Sequence, residues 1–110
     1  MSVHDNQVII VGAGPVGLVT ALRLVGFGIP VLVLEAEAGL ARDLRASTFH
    51  PPTLDMLEEY GLAAPLMARG LICPSWQIRM HETGEHVAFD LSVLEKDTRH
   101  PFRLQCEQYK

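Results

Sequence analysis

The sequence has no apolar run that could cross a bilayer. Its longest, 8–11 and 29–34, fall far short of the roughly 20 residues a spanning helix needs. It has no surplus of positive charge. Lys and Arg number 9 against 13 Asp and Glu, a formal net charge of −4, which offers nucleic acid no electrostatic footing. No basic amphipathic stretch suggests a membrane surface. The N-terminus lacks a basic n-region and a cleavage pattern, so no signal peptide is expected. Only two cysteines occur, Cys73 and Cys106, in no CxxC or metal-type spacing. They read as reduced thiols of a cytoplasmic protein. His81 and His86 flank a turn, but no third ligand completes a metal site, so none is expected. There is no internal repeat and no low-complexity segment.

What remains is ordinary globular composition. Of the 110 residues, 48% are apolar and 20% charged, enough for one small domain with a modest core. Residues 7–11 form a short β-branched run that predicts a strand buried on both faces. Val16, Val19, Leu22, Leu24 and Phe27 are spaced as on a helix over 15–27. Pro15 suits its first turn, and Gly26 or Gly28 ends it with a left-handed cap. Residues 30–35 are a second buried strand, so 7–35 is a parallel βαβ unit.

The texture then changes. Residues 36–50 read as a long loop, and Pro51-Pro52 opens a helix over about 52–60. Leu54, Leu57 and Met56 are its inward positions, and Gly61 ends it. A further helical turn is expected at 63–69. Residues 76–82 and 86–91 read as a hairpin split by Thr83-Gly84-Glu85, with Trp76 and Phe89 as packing groups. Residues 92–101 read as irregular and 102–106 as extended, with a helix starting in 105–110. Two parallel strands and a detached hairpin leave sheet faces bare, so the chain reads as the N-terminal piece of a longer protein.

The chemistry lies in one turn. Gly12-Ala13-Gly14-Pro15-Val16-Gly17 matches GxGxxG between a strand and a helix. Gly12 permits the tight exit from the strand. Gly14 lets the backbone approach a pyrophosphate. Gly17 lets the helix pack on the sheet. The helix's first N–H groups and its dipole then favour phosphate. Glu35 ends the second strand 18 residues after Gly17, near the expected spacing of about 20. A carboxylate there accepts from ribose hydroxyls and repels a 2′-phosphate. NADP is thereby disfavoured in this site, while NAD and the adenosine half of FAD both fit.

The choice between them comes from a resemblance. Residues 8–18 through Glu35, the segment Leu44–Leu57 with Gly61-Leu62, and Phe102–Gln105 resemble the N-terminal part of the class A flavoprotein monooxygenases. That family includes para-hydroxybenzoate hydroxylase and phenol hydroxylase. The resemblance implies an α/β fold: a Rossmann-type βαβ FAD-binding unit with an appended β-hairpin, within a larger two-domain flavoprotein. It implies FAD contacts from Gly12, Ala13, Gly14, Pro15, Val16, Gly17, Glu35, Ala36, Arg45, Ala46, Ser47 and Gln105. Arg45 would meet the phosphate or ribose region with its fork of donors, and the Gln105 amide the flavin. Arg42 reads as a solvated charge, His50 as a turn residue. Ser47 and Thr48 suit either cofactor contact or a cap on the following helix.

The implied reaction is hydroxylation of an aromatic, phenol-like substrate. NADH or NADPH reduces the flavin, and oxygen then gives a flavin hydroperoxide that hydroxylates the ring. The cofactor carries that chemistry, and no catalytic side chain is singled out. The expected partners are the small aromatic substrate and oxygen. Neither substrate identity nor oligomeric state is written in these residues. The alternatives are an FAD oxidoreductase of the glutathione-reductase-like group, an NAD-dependent dehydrogenase, and a non-catalytic nucleotide-binding fragment. The Arg45–Leu57 segment argues against the first. The 36–50 loop and the hairpin argue against the second.

Overall fold

A computed structural model describes residues 6–40, 42 and 46–107. The chain divides into two compact units, residues 1–42 and 43–110, each with its own secondary structure.

The first unit is the βαβ crossover. Strand β1 (Val8–Val11), helix α1 (Pro15–Gly26) and strand β2 (Val31–Leu34) follow in order. The strands pair in parallel, with Val8 beside Val31 and Val11 beside Leu34. β1 is wholly β-branched and β2 alternates valine with leucine, and the leucine- and valine-rich stretch 16–25 coils between them. Pro15 occupies the first turn of α1. Gly28 ends the helix in the left-handed region at φ +75°, its N–H donating to the Val25 carbonyl at 2.9 Å. One expectation is corrected here. β1 and β2 are not buried on both faces: Val11 is 84% and Ile9 53% exposed. A two-stranded sheet has one inner edge, and among the described residues of this unit only α1 packs against it.

The second unit is built on β3 (Thr48–Phe49), α2 (Pro51–Glu58), α3 (Ala63–Met67), β4 (Leu71–Cys73), β5 (Ser75–Arg79), β6 (His86–Asp90) and β7 (Arg103–Gln105). A short 3-10 turn, Leu91–Leu94, follows β6, capped by the Asp90 carboxylate accepting from the Ser92 N–H at 2.9 Å. β7 is the centre of a three-stranded antiparallel sheet in the order β3-β7-β4, and β5-β6 is the hairpin. Trp76 faces Phe89 across that hairpin, their rings stacked 4.2 Å apart. The 36–50 segment is therefore not loop throughout, because Thr48-Phe49 takes the free edge of β7. Nor is Gln105 at a helix start: it is the last residue of β7. A helix beyond 107 falls outside the described residues.

Leu54 and Leu104 are completely buried and pack with Cys106, bordered by Phe49, Leu66, Met67 and Phe102. α2 turns Leu54 and Leu57 inward, as the spacing predicts. His100 is also buried. Its Nδ1 lies 2.8 Å from Asp55 Oδ1 and its Nε2 2.7 Å from Glu58 Oε2, so one imidazole bridges two carboxylates on one face of α2. The Thr98 hydroxyl donates to the same Asp55 oxygen at 2.7 Å.

The hydrogen bonds from His100 and then Thr98 hold the Asp55 carboxyl below the usual carboxylate range. Its contribution to stability is full above its unfolded pKa and disappears as pH falls through the lower folded one. Unfolding midpoints should accordingly fall as pH drops below about 4. Asp55→Asn should flatten that dependence in urea titrations run across the acid range. An unchanged acid slope would remove Asp55 as its source.

Candidate nucleotide site

The glycine turn is closed by hydrogen bonds that its sequence makes possible. The Gly12 N–H donates to the Leu34 carbonyl at 2.7 Å, carrying the parallel ladder one residue beyond β1. Gly12 then turns at φ +103°, a region costly to any residue with a Cβ. Gly17 lies against that turn. A Cβ built on it would sit 2.0 Å from the Gly12 carbonyl oxygen, so only hydrogen fits. Gly14 is different. A Cβ there would meet nothing within 4 Å, and Gly14 forms the N-cap of α1 in extended conformation. The space over Gly14 is open to a ligand at the end of the helix where N–H groups lack intrahelical partners. Pro15 and Val16 form the first turn, and Val16 is 82% exposed.

Glu35 closes the other side of this turn. Its Oε2 accepts from the Ala13 N–H at 2.7 Å and its Oε1 from the Glu37 N–H at 2.8 Å. These bonds, from Glu37 first and then Ala13, with a further one from Ala36, hold its pKa below the ordinary value. The exposed carboxylate stays ionised and fixed against the glycine loop. Each oxygen keeps a second lone pair for a sugar hydroxyl. The residues fit the adenosine–pyrophosphate half of a dinucleotide: an open cradle at Gly14, a helix N-terminus, and a fixed acid beside them.

In the second unit Ser47, Thr48 and Gln105 come together. The Gln105 side-chain N–H donates to the Ser47 hydroxyl, and the Thr48 hydroxyl donates to the Gln105 side-chain oxygen at 3.2 Å. The Cys106 N–H donates to the Ser47 carbonyl at 2.8 Å. Ser47 and Thr48 thus bind Gln105 and do not cap α2. The N-cap of α2 is His50, with no side-chain capping bond. An open cleft of about 410 Å³ borders Gln105, Ser47, Arg69 and Gly70. Gly70 went unremarked in the sequence. A Cβ on it would approach the Gln105 carbonyl oxygen to 2.8 Å, so this glycine sets how closely the chain before β4 approaches β7. Ala46 is exposed just before β3. Arg45, the strongest candidate of its segment, lies outside the described residues. A larger cleft of about 610 Å³ lies at Asp55, Glu58 and His100, whose polar groups already bond one another.

Among the described residues no cluster of His, Cys, Asp and Glu is arranged to hold a metal ion, and no helix is long and apolar enough to cross a membrane.

This mixed α/β arrangement is shared. Residues 5–109 match the family described as an FAD binding domain, and the chain belongs to that family. The sequence is 46% identical over 104 residues to the para-nitrophenol 4-monooxygenase of a Pseudomonas species, strain WBC-3, covering 94% of this chain and 26% of that protein. It is 43% identical over 105 residues to the 6-hydroxy-3-succinoylpyridine 3-monooxygenase HspB of Pseudomonas putida, covering 96% and 27%. The crystal structure of p-nitrophenol 4-monooxygenase PnpA from Pseudomonas putida DLL-E4 superposes with a TM-score of 0.82 at 39% identity, over 98% of this chain and 27% of that one. The chain spans about a quarter of the length of the relatives it matches.

Proposed function

We propose that the full protein to which this chain belongs is an FAD-dependent monooxygenase that hydroxylates a phenol-like aromatic substrate with oxygen. One observation carries the reading. The glycine turn, held by Glu35 and open over Gly14, occurs in a chain 46% identical to a para-nitrophenol monooxygenase across nearly its whole length. Relatives of this kind favour the hydroxylase over an oxidoreductase of the glutathione-reductase-like group.

When bound, the flavin supplies the oxygen and electron chemistry, with NADH or NADPH as reductant. This chain's residues hold it. The backbone at Gly12, Ala13, Gly14, Pro15, Val16 and Gly17 receives the pyrophosphate at the start of α1. Glu35, beside Ala36, takes the ribose hydroxyls. Gln105, oriented by Ser47 and Thr48, offers its remaining N–H and lone pair to the flavin half. Arg45 and Ala46 complete the contact on that side. The cytoplasm, where NADH and NADPH are regenerated and free thiols such as Cys73 and Cys106 stay reduced, is the compartment this reading assigns.

The test is expression of the full chain. It should purify yellow with flavin absorbance and consume NADH or NADPH in the presence of a phenol, releasing a hydroxylated product. A colourless protein that takes up NAD and not FAD would overturn the reading.

A further inference from the structure

β7 is only three residues long, and alternation over so short a strand does not fix its register. Two contacts with α2 do. Leu104 packs on Leu54 in the core. Ahead of the strand, His100 lies between Asp55 and Glu58, 2.8 Å and 2.7 Å from their oxygens. The link from His100 to β7 is stiff. Pro101 has a fixed φ, the Phe102 N–H donates to the His100 carbonyl at 2.7 Å, and the Phe102 ring meets the imidazole edge-on, centroids 5.8 Å apart. α2 itself begins at Pro51, just after β3 has paired Thr48 with Gln105. One helix therefore anchors the chain on both sides of the contact among Ser47, Thr48 and Gln105.

The His100 bridge requires a particular number of protons. Asp55 Oδ1 accepts from the Thr98 hydroxyl at 2.7 Å, and that hydroxyl accepts from the His100 backbone N–H at 3.0 Å. Asp55 is thus an acceptor, and the ring Nδ1, 2.8 Å away, is its second donor. A neutral imidazole would then turn its Nε2 lone pair toward a Glu58 oxygen at 2.7 Å. Two lone pairs at that distance repel, so a second proton lies between them. Imidazole is a stronger base than a carboxylate, and the proton belongs to the ring. The ring is buried while both carboxylates reach water, so the cation depends on its two partners for solvation. The other charged groups lining this cleft are Glu59 at the C-cap of α2 and Glu95, Lys96, Asp97 and Arg99 in the segment before His100. Carboxyl, ammonium and guanidinium groups ordinarily titrate outside about pH 5 to 9, and imidazole titrates inside it.

We propose that His100, as an imidazolium bridging Asp55 and Glu58, is a positioning residue for Gln105, and that loss of its ring proton frees the start of β7 and loosens the flavin. This rests on the reading above that Gln105 meets the flavin half of FAD. The sign follows from the donor count: the bridge holds while the ring is protonated and opens as pH rises.

The experiment dilutes the FAD-loaded full chain into buffers from about pH 6 to about pH 9 and reads flavin release from the rise in free-flavin fluorescence. Native protein should release flavin about tenfold faster at the alkaline end, as one charge-assisted hydrogen bond is lost. Glu58→Gln separates this from packing. Its amide offers Nε2 an oxygen when the ring is charged and an N–H when it is neutral, so the bridge survives loss of the proton. Release from that variant should vary by less than about twofold across the range. His100→Gln should release flavin at the fast rate at both ends. If it does not fold, the native and Glu58→Gln profiles carry the test.

A Glu58→Gln profile as steep as the native one overturns the proposal. So does native-rate release from His100→Gln at the acid end, because Gln105 is then positioned without the ring. A full chain that holds no FAD sinks the hydroxylase reading, and the role of the bridge with it. Flavin-loaded native protein whose release rate does not change with pH sinks the bridge alone.

Discussion

Replacing Gly17 by alanine is expected to abolish FAD retention in the full chain and to destabilise the crossover by about 3 kcal/mol, the upper end for overpacking. The added methyl would lie 2.0 Å from the Gly12 carbonyl oxygen, 3.2 Å from its carbonyl carbon and 3.3 Å from Ile10 Cγ2. The first two atoms are backbone. They cannot swing aside as a side chain does. Moving them means moving Gly12, which holds both the last ladder bond to Leu34 and the left-handed turn. Gly14→Ala separates folding from binding. Its methyl meets nothing within 4 Å in this structure, and its φ of −73° suits alanine. Stability should stay within about 0.5 kcal/mol of native, as at an uncrowded surface position, while FAD uptake falls. Flavin content by absorbance and urea unfolding of both variants check this. Undiminished flavin in Gly14→Ala would remove Gly14 from the site.

The contrast between the two glycines shows what was legible in the sequence. The GxGxxG turn is local: strand, turn and helix lie within some twenty residues, and every role is set by the absence of a Cβ. Glu35 was legible for the same reason, since a strand of known length fixes where an acid must stand. The sequence pattern pointed to its contact with a ribose. The structure adds that Glu35 first ties itself to Ala13 and Glu37. The three-stranded sheet was less legible. Thr48-Phe49 and Leu71–Cys73 are too short to show alternation. They are strands because β7 offers each of them an edge, and the Thr48–Gln105 contact spans 57 residues of sequence. His100 gave no local signal at all. Its two carboxylate partners lie on α2, more than forty residues away, and only folding brings them to the ring. Arg103 was visible only as a letter within Phe102–Gln105. Its ring contact, Trp76, belongs to a hairpin that periodicity alone could place but not orient.

The largest loss of stability is expected from Leu104→Ala, about 4 kcal/mol within the 2–5 kcal/mol typical of buried leucine truncation. Leu104 is fully buried, and so is Leu54 opposite it. Among its described residues the second unit has few fully or nearly buried apolar side chains: Leu54, Leu57, Ala63, Leu104 and Cys106, with Pro51 at the start of α2. A small core has little to move into a cavity, which puts the expected cost in the upper part of the range. Leu104 also sits between Arg103 and Gln105 on the central strand, so loosening it loosens the neighbours that hold Gln105 to Ser47 and Thr48. Flavin dissociation should therefore quicken in Leu104→Ala even under conditions where the protein remains folded. Leu104→Ile, close in volume, should cost less than about 1.5 kcal/mol and keep flavin retention near native. Urea unfolding and the flavin release rate measure the two effects separately. If Leu104→Ala loses stability but releases flavin at the native rate, β7 supports the core without positioning Gln105, and the amide leaves the cofactor site.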